Sequence, residues 1–356
     1  MTKDTTSRIG ARSLFIGAAV VIVLAGLKAA QSLVIPFLLA LFLAIICAPA
    51  VSWLHRRRVP VGLAVLVVVI VLLALFTGFG TVVGTSVNDF AAFASQYQER
   101  FDGLVSSFTI WLAAYDIDTE SLDLLQVVQP GRLMNLLGGV LKNLAAVLSN
   151  LFLIILTMIF ILLEAASFPT KARLAVGGHR FDMDNLGQIV TQVQHYLGIK
   201  TATSLVTGIV IGIWTAVIGL DFAVVWGLIA FLLNYIPNIG SIVAAIPAVL
   251  LGLIQGGVGY ALLVAIGFVV VNVVIGNFID PYLMGRTLGL STLVVFLSLV
   301  FWGWMWGSIG MLLSVPLTMM IKILLDNTDD LQWIAVLLDS KKGAERRLEA
   351  AQAASD

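Results

Sequence analysis

Phe222–Ile254 reads FAVVWGLIAFLLNYIPNIGSIVAAIPAVLLGLI, and Leu290–Leu325 reads LSTLVVFLSLVFWGWMWGSIGMLLSVPLTMMIKILL. Both stretches are strongly apolar. Each is interrupted near its middle, the first by Asn234–Ser241 (NYIPNIGS) and the second by Trp302–Ser308 (WGWMWGS). About 20 helical residues cross a hydrocarbon core of about 30 Å, so each stretch is too long for one span and too short for two spans and a turn. Two half-membrane helices meeting at a bend fit the length. Irregular backbone at membrane depth persists only where protein or a water-filled cavity satisfies its amide and carbonyl groups. Broken helices in corresponding positions of two half-repeats therefore point to a transport site.

Around these two stretches, full-length apolar runs cover 13–30, 33–54, 61–84, 143–163, 197–219 and 258–280. The expected fold is all-α: a polytopic membrane protein with about six full transmembrane helices and two re-entrant, broken hairpins forming an inverted repeat. Five segments follow. Residues 1–84 form an N-terminal three-span unit, and 85–142 an amphipathic insert outside the membrane. Residues 143–194 hold the fourth span and a loop, 195–325 a transport core of two span-plus-hairpin repeats, and 326–356 a tail. In the insert, Phe90, Phe93, Tyr97, Phe101, Leu104, Phe108 and Trp111 recur at helical spacings, which suggests helices on or beside the membrane.

Lysine and arginine set the orientation. Lys3, Arg8 and Arg12 precede the first run, Arg56–Arg58 follow the second, and Lys171, Arg173 and Arg180 follow the fourth. The 85–142 insert is instead rich in acids: Asp89, Glu99, Asp102, Asp116, Asp118, Glu120 and Asp123. Both termini are therefore expected in the cytoplasm and the insert outside. Parity then brings the first hairpin in from outside and the second from inside. Gly240-Ser241-Ile242 before Pro247 and Gly307-Ser308-Ile309 before Pro316 give the inverted pair a faint sequence echo.

Composition supports this class. The 356 residues are 60% hydrophobic and 11% charged, with mean hydropathy +1.05, whereas soluble domains carry about 25% charged residues. Net charge is zero and no basic run interleaves with aromatics, so nucleic acid is not an expected partner. Cys47 is the single cysteine and excludes an intrachain disulfide. The basic start and the run Ser13–Leu27 resemble a signal peptide, but Lys28 stands where cleavage needs small neutral residues, so 13–30 reads as a retained span. No phosphate-binding loop, no His-Glu-x-x-His and no Gly-x-Ser-x-Gly occurs. Neither ATP-driven transport nor hydrolysis is expected, and no cofactor, metal site or catalytic residue is assigned.

A charge at the centre of a span costs roughly 2.5–3.5 kcal/mol on insertion scales, so each one needs a reason. Asp280 closes the run 258–280, and Asn272, Asn277 and Asp280 fall within an arc of about 140° on an α-helical wheel. Two roles fit Asp280: the titrating group of a substrate- or proton-binding face, or a helix end that pairs with Arg286. Asn234 and Asn238 flank Pro237 and either build the turn or hydrogen-bond a polar solute. Trp302, Trp304 and Trp306 are expected to anchor at the interface. Lys200 is expected to snorkel to the headgroups, and Asp221 to cap the helix of the first hairpin. Gly208-x-x-x-Gly212 permits close helix contact without naming a partner.

These residues also carry a family resemblance. Val34–Ala40 (VIPFLLA) through Arg58, Phe231–Gly240 (FLLNYIPNIG) through Pro247, Ile275–Arg286 (IGNFIDPYLMGR), Leu290–Leu299 (LSTLVVFLSL) and Leu313–Thr318 (LSVPLT) resemble the AI-2E (autoinducer-2 exporter) transporters. The likeness spans nearly the whole chain and is poorest in 85–142. It implies a bacterial inner-membrane protein that exports autoinducer-2, a small polar furanone-type signal. Other members are assigned Na+(Li+)/H+ antiport, and members are thought to form homo-oligomers, with pentamers proposed. The family motifs fall on Asn234, Pro237, Asn238, Gly240, Asn277, Asp280, Pro281, Gly285 and Arg286.

The leading expectation is an exporter of a small polar metabolite with its path between the hairpins. The substrate-path or coupling residues are Asn234, Pro237, Asn238, Gly240, Asn272, Asn277, Asp280, Arg286, Gly307 and Ser308. Expected partners are the bilayer, the solute, protons or Na+, and further copies of the chain. The alternatives are a Na+(Li+)/H+ antiporter and a non-transporting oligomeric scaffold. A dehydrated cation wants several oxygen ligands, and one clear intramembrane carboxylate is present.

Overall fold

The computed structural model describes residues 17–115, 151–165, 183–237, 239–284, 290–326 and 331–340, with 138, 139, 171, 328, 345, 348 and 352. Among these every regular element is helical. Asn238, Gly285, Arg286 and most of 116–150 lie outside the described residues. Helix α1 is Gly17–Ala29 and α2 is Gln31–Arg56. Then come α3 (Val61–Ala113), α4 (Leu151–Ala165), α5 (Met183–Val217) and α6 (Ala223–Leu233). Helix α7 (Gly240–Asn272) runs into a π-helical stretch, Val273–Ile279, and then α8 (Asp280–Met284). Helix α9 is Thr292–Asp326 and α10 is Gln332–Leu337.

Among the described residues five helices are long and apolar enough to cross a membrane, and three shorter apolar ones accompany them. Their outward faces carry bare aliphatic and aromatic side chains such as Leu66, Ile70, Phe160, Ile209, Leu262 and Phe296. Such surface is unfavourable in water and at home in lipid. The chain is an all-α polytopic membrane protein.

Helix α3 is longer than its apolar run. Its 53 residues extend about 80 Å at about 1.5 Å per residue, well beyond a hydrocarbon core of about 30 Å. The residue-84/85 boundary therefore falls inside one helix. In its distal half Phe90, Tyr97 and Phe101 are buried against the start of α6, while Phe93 and Phe108 are half-exposed.

Chain reversals, not straight helices, occupy the two interrupted stretches. Between α6 and α7 the backbone leaves the helix at Asn234 and re-enters at Gly240, with Ile236 N–H donating to Leu233 O and Gly240 N–H to Ile236 O. Pro237 has no N–H to continue the ladder. In α9 the break is at Trp306 and Gly307 (φ 66°, ψ −145°), a left-handed φ that suits glycine. Trp302 Nε1 donates to Thr318 Oγ1 at 3.1 Å, although 16 residues of straight helix would separate them by about 24 Å. A third reversal, at Gly257 (φ 75°), folds the end of α7 back on itself, so that Gly252 lies against Ala261 and Val264. Gly240 and Gly310 occupy equivalent places: a Cβ on either would collide with a backbone carbonyl across the bend, that of Leu233 or of Trp302.

Helix α5 is the shared spine. Near its start Val193, Tyr196 and Leu197 pack with Trp302, Met305, Leu313 and Leu317 of the second broken helix. Further along, Gly208 and Gly212 lie against Gly227 of α6, where a Cβ would sit 2.6 Å from the Gly208 carbonyl. The Gly-x-x-x-Gly pair thus finds its partner within the chain. A separate core joins α2, α3 and α4 through Ala44, Cys47, Ala64, Val68, Ile155 and Met158.

The expectation that the three tryptophans anchor at the interface is corrected for two of them. Trp302 and Trp306 are buried and stacked, with centroids 4.9 Å apart. Their N–H groups donate to Thr318 and to Leu27 O. Large rings fill the inside of a bend that small glycines leave open. Trp304 alone is exposed, with the Lys28 ammonium 3.7 Å from its ring centroid.

Candidate functional site

Three elements meet at the middle of α5: the first break, the end of the π-helical stretch, and α5 itself. Lys200 Nζ donates to Asp280 Oδ2 at 2.7 Å, and both residues are buried, at 5% and 9% exposure. One turn along α5, Ser204 Oγ accepts from Asn234 Nδ2 at 3.0 Å. On the adjoining face Tyr235 O–H donates to Thr201 Oγ1 at 2.8 Å. Lys200, Thr201 and Ser204 thus present their polar groups to the break and to Asp280 from a single helical turn. The buried Tyr196 lies one turn before Lys200.

The reading of Lys200 as a snorkelling residue is therefore corrected. Helix α5 begins at Met183, so Lys200 stands deep in the helix and its ammonium turns inward to Asp280. At 2.7 Å the attraction is about 6 kcal/mol at an effective dielectric constant of about 20. Desolvating both charges offsets most or all of that. The pair is thus poor at stabilising the fold but hard to break on one side only. Asp280 Oδ1 is buried and has no hydrogen-bond partner among the described residues, which leaves an acceptor open beside the break.

The expected wedge of Asn272, Asn277 and Asp280 is divided. Asp280 is buried, Asn272 half-buried and Asn277 exposed. The stretch Val273–Ile279 is π-helical, so the 100° step of an α-helical wheel does not hold between Asn272 and Asp280. Single π-turns in α-helices frequently mark functional sites. Pro237 is half-buried in the first turn, and Gly240 packs against Leu233 and Ile236. Gly307 and Ser308 are exposed at the second break and no hydrogen bond ties them to the Lys200 group. Asn238 and Arg286, also expected at the site, lie outside the described residues.

Sequence reading passed over Tyr196, Tyr235 and the partner of Asp280. One signal existed: a lysine with three hydroxyl residues, Thr201, Thr203 and Ser204, close behind it in an apolar run. Asp221 is also corrected, since it does not cap α6. Its Oδ2 accepts from the Tyr97 O–H at 2.7 Å, and the N-cap position is Phe222, in a left-handed conformation with no side-chain cap.

Residues 18–330 match the family described as AI-2E family transporter. The chain belongs to the AI-2E transporter family. It is 40% identical over 338 residues to the AI-2 transport protein TqsA of Escherichia coli (strain K12), covering 95% of this chain and 98% of that protein. It is 41% identical over 333 residues to a putative transport protein of Haemophilus influenzae, covering 92% and 96%. The putative transport protein YhhT of E. coli K12 is 35% identical over 321 residues, covering 90% and 92%. These AI-2E relatives are transport proteins, not enzymes, so the buried pair belongs to a multi-pass transporter that works in a lipid bilayer on small solutes.

Proposed function

We propose that this AI-2E protein exports a small polar metabolite, autoinducer-2 by its likeness to TqsA, across the bacterial inner membrane. Asp280 couples that movement to an ion gradient. The observation that carries the reading is the buried Lys200–Asp280 pair with an open carboxylate oxygen beside a broken helix. A buried ion pair is weak evidence for stability, and intramembrane ionisable residues mark pathways and proton relays.

The chemistry follows from the pair. While Asp280 is ionised it holds Lys200 and ties α5 to the start of α8 beside the first break. Protonation of Asp280 removes the attraction, frees the ammonium and leaves a donor where an acceptor had been. Asn234, Tyr235 and Ser204 then hydrogen-bond the solute at the break. Exchange of one state for the other links proton and solute movement. The two reversals act as re-entrant hairpins related by inversion, with both termini cytoplasmic and several copies assembled in the membrane.

The test is autoinducer-2 flux in proteoliposomes of the purified protein, with and without an imposed proton gradient. Gradient-dependent flux supports the proposal, and flux indifferent to the gradient removes the coupling role of Asp280. No flux, together with gradient-driven Na+ or Li+ exchange, would move the site to cation/proton antiport.

A further inference from the structure

A second polar site lies beyond the C-terminal end of α5. Lys200 stands 17 residues before Val217, about 26 Å along the helix. Past Val217, a cavity of about 590 Å³ opens between the start of α6 and one face of α3. Ser86, Asp89, Phe93, Gln96 and Arg100 recur on that face at spacings of three and four.

The far wall is held in place by long-range bonds. Asp221 accepts from Tyr97 at 2.7 Å through its carboxylate, and from Trp226 Nε1 at 2.8 Å through its carbonyl. Its N–H donates to Gln255 Oε1. Gln255 Nε2 donates to Gly219 O, and Tyr260 O–H to Ile218 O at 2.6 Å. These bonds keep Phe222 at φ 62°, ψ 34°, a conformation a bulky side chain adopts only when its surroundings impose it. Asp89, Gln96 and Arg100 form no side-chain hydrogen bond or ion pair with a described residue, so a rigid wall faces uncommitted polar groups.

We propose that this cavity recognises a small, neutral, polyhydroxylated solute. Carboxylates at Asp89 and Asp221 accept from hydroxyls, the amides of Gln96 and Gln255 donate and accept, and Arg100 donates. The half-exposed ring of Phe93 covers a C–H face. Two acids against one base disfavour an anion. A bare cation is disfavoured because Tyr97 already occupies one Asp221 oxygen and no cluster of three metal-ligating side chains occurs among the described residues. The proposal is independent of the Lys200–Asp280 reading.

The test is thiol protection on full-length protein in phosphatidylcholine nanodiscs, with a reporter cysteine at Val224→Cys. Val224 lines the cavity, is 55% exposed and forms none of these polar contacts; the native Cys47 is buried. D-ribose should slow modification by a soluble maleimide by about threefold at twice its Kd, since the unliganded fraction falls as 1/(1 + [L]/Kd). Alanine and succinate at equal concentration should not. Asp89→Ala and Arg100→Ala, which break no side-chain hydrogen bond or ion pair with a described residue, should each weaken ribose protection, and Asp280→Asn should leave it unchanged. No protection by ribose, equal protection by all three solutes, or full protection in both the Asp89 and Arg100 variants would overturn the proposal. Slow modification without ribose that appears only in phosphatidylglycerol nanodiscs would assign the cavity to a lipid glycerol headgroup and overturn recognition of a free solute.

Discussion

The Lys200–Asp280 pair makes a prediction about stability that differs in sign between single and double substitutions. Both groups are buried and 2.7 Å apart. Asp280→Asn keeps the shape of the side chain but strands the Lys200 ammonium, and Lys200→Met strands the carboxylate. Stranding a buried charge costs about 3–5 kcal/mol. At about 2 °C per kcal/mol for a large chain, each single variant should lower the apparent Tm by roughly 6–10 °C. The double variant removes both charges, and replacing a buried pair with neutral groups is often close to neutral. Its Tm should return to within about 3 °C of the parent, a coupling of several kcal/mol where independent sites would add. Fluorescence-monitored thermal unfolding in detergent reads this directly, with size exclusion confirming that each variant is inserted and monodisperse. Singles that barely move Tm, or a double variant as unstable as the sum of the singles, would refute the reasoning.

Three further outcomes test other parts of the structure. Gly227→Ala places a methyl 2.6 Å from the Gly208 carbonyl, and should destabilise by about 1–3 kcal/mol through overpacking; an unchanged Tm would show that α5 and α6 are less tightly joined. Asn234→Leu removes the bond to Ser204 at a cost of about 1 kcal/mol yet should abolish solute flux, so unimpaired flux would exclude Asn234 from the path. Asp339→Ala removes the 3.0 Å ion pair to Lys322 that joins the segment after α10 to α9, and should lower stability by about 1.5–3 kcal/mol, whereas a neutral effect would show that this segment is not seated on α9.

Much of the fold could be read from the chain because lipid imposes a simple rule: apolar length sets the spans, and polar interruptions at membrane depth must be turns. The reversals at Asn234–Ile239 and Trp306–Gly307 fall inside the interruptions. The length of α3 was not legible. Falling hydropathy after residue 84 marks the end of a span, not of a helix, and Val61–Ala113 contains no proline to end it. The site was half legible. Asn234 and Asp280 stand out as polar residues in apolar runs, but their partners depend on how far α5 extends and on a π-helical stretch that an α-helical wheel cannot show. Lys200 looked terminal only because the apolar run begins at 197, whereas the helix begins at Met183.

The central claim is that Asp280 couples solute movement to the ion gradient, and the most direct measurement is gradient-driven autoinducer-2 flux in proteoliposomes of the Lys200→Met/Asp280→Asn double variant. This variant is the one expected to keep the fold without the charges, and a Tm within about 3 °C of the parent's separates lost transport from unfolding. Flux that no longer responds to the proton gradient is the predicted result. Flux with the parent's gradient dependence would contradict the account and leave the buried pair a structural element alone.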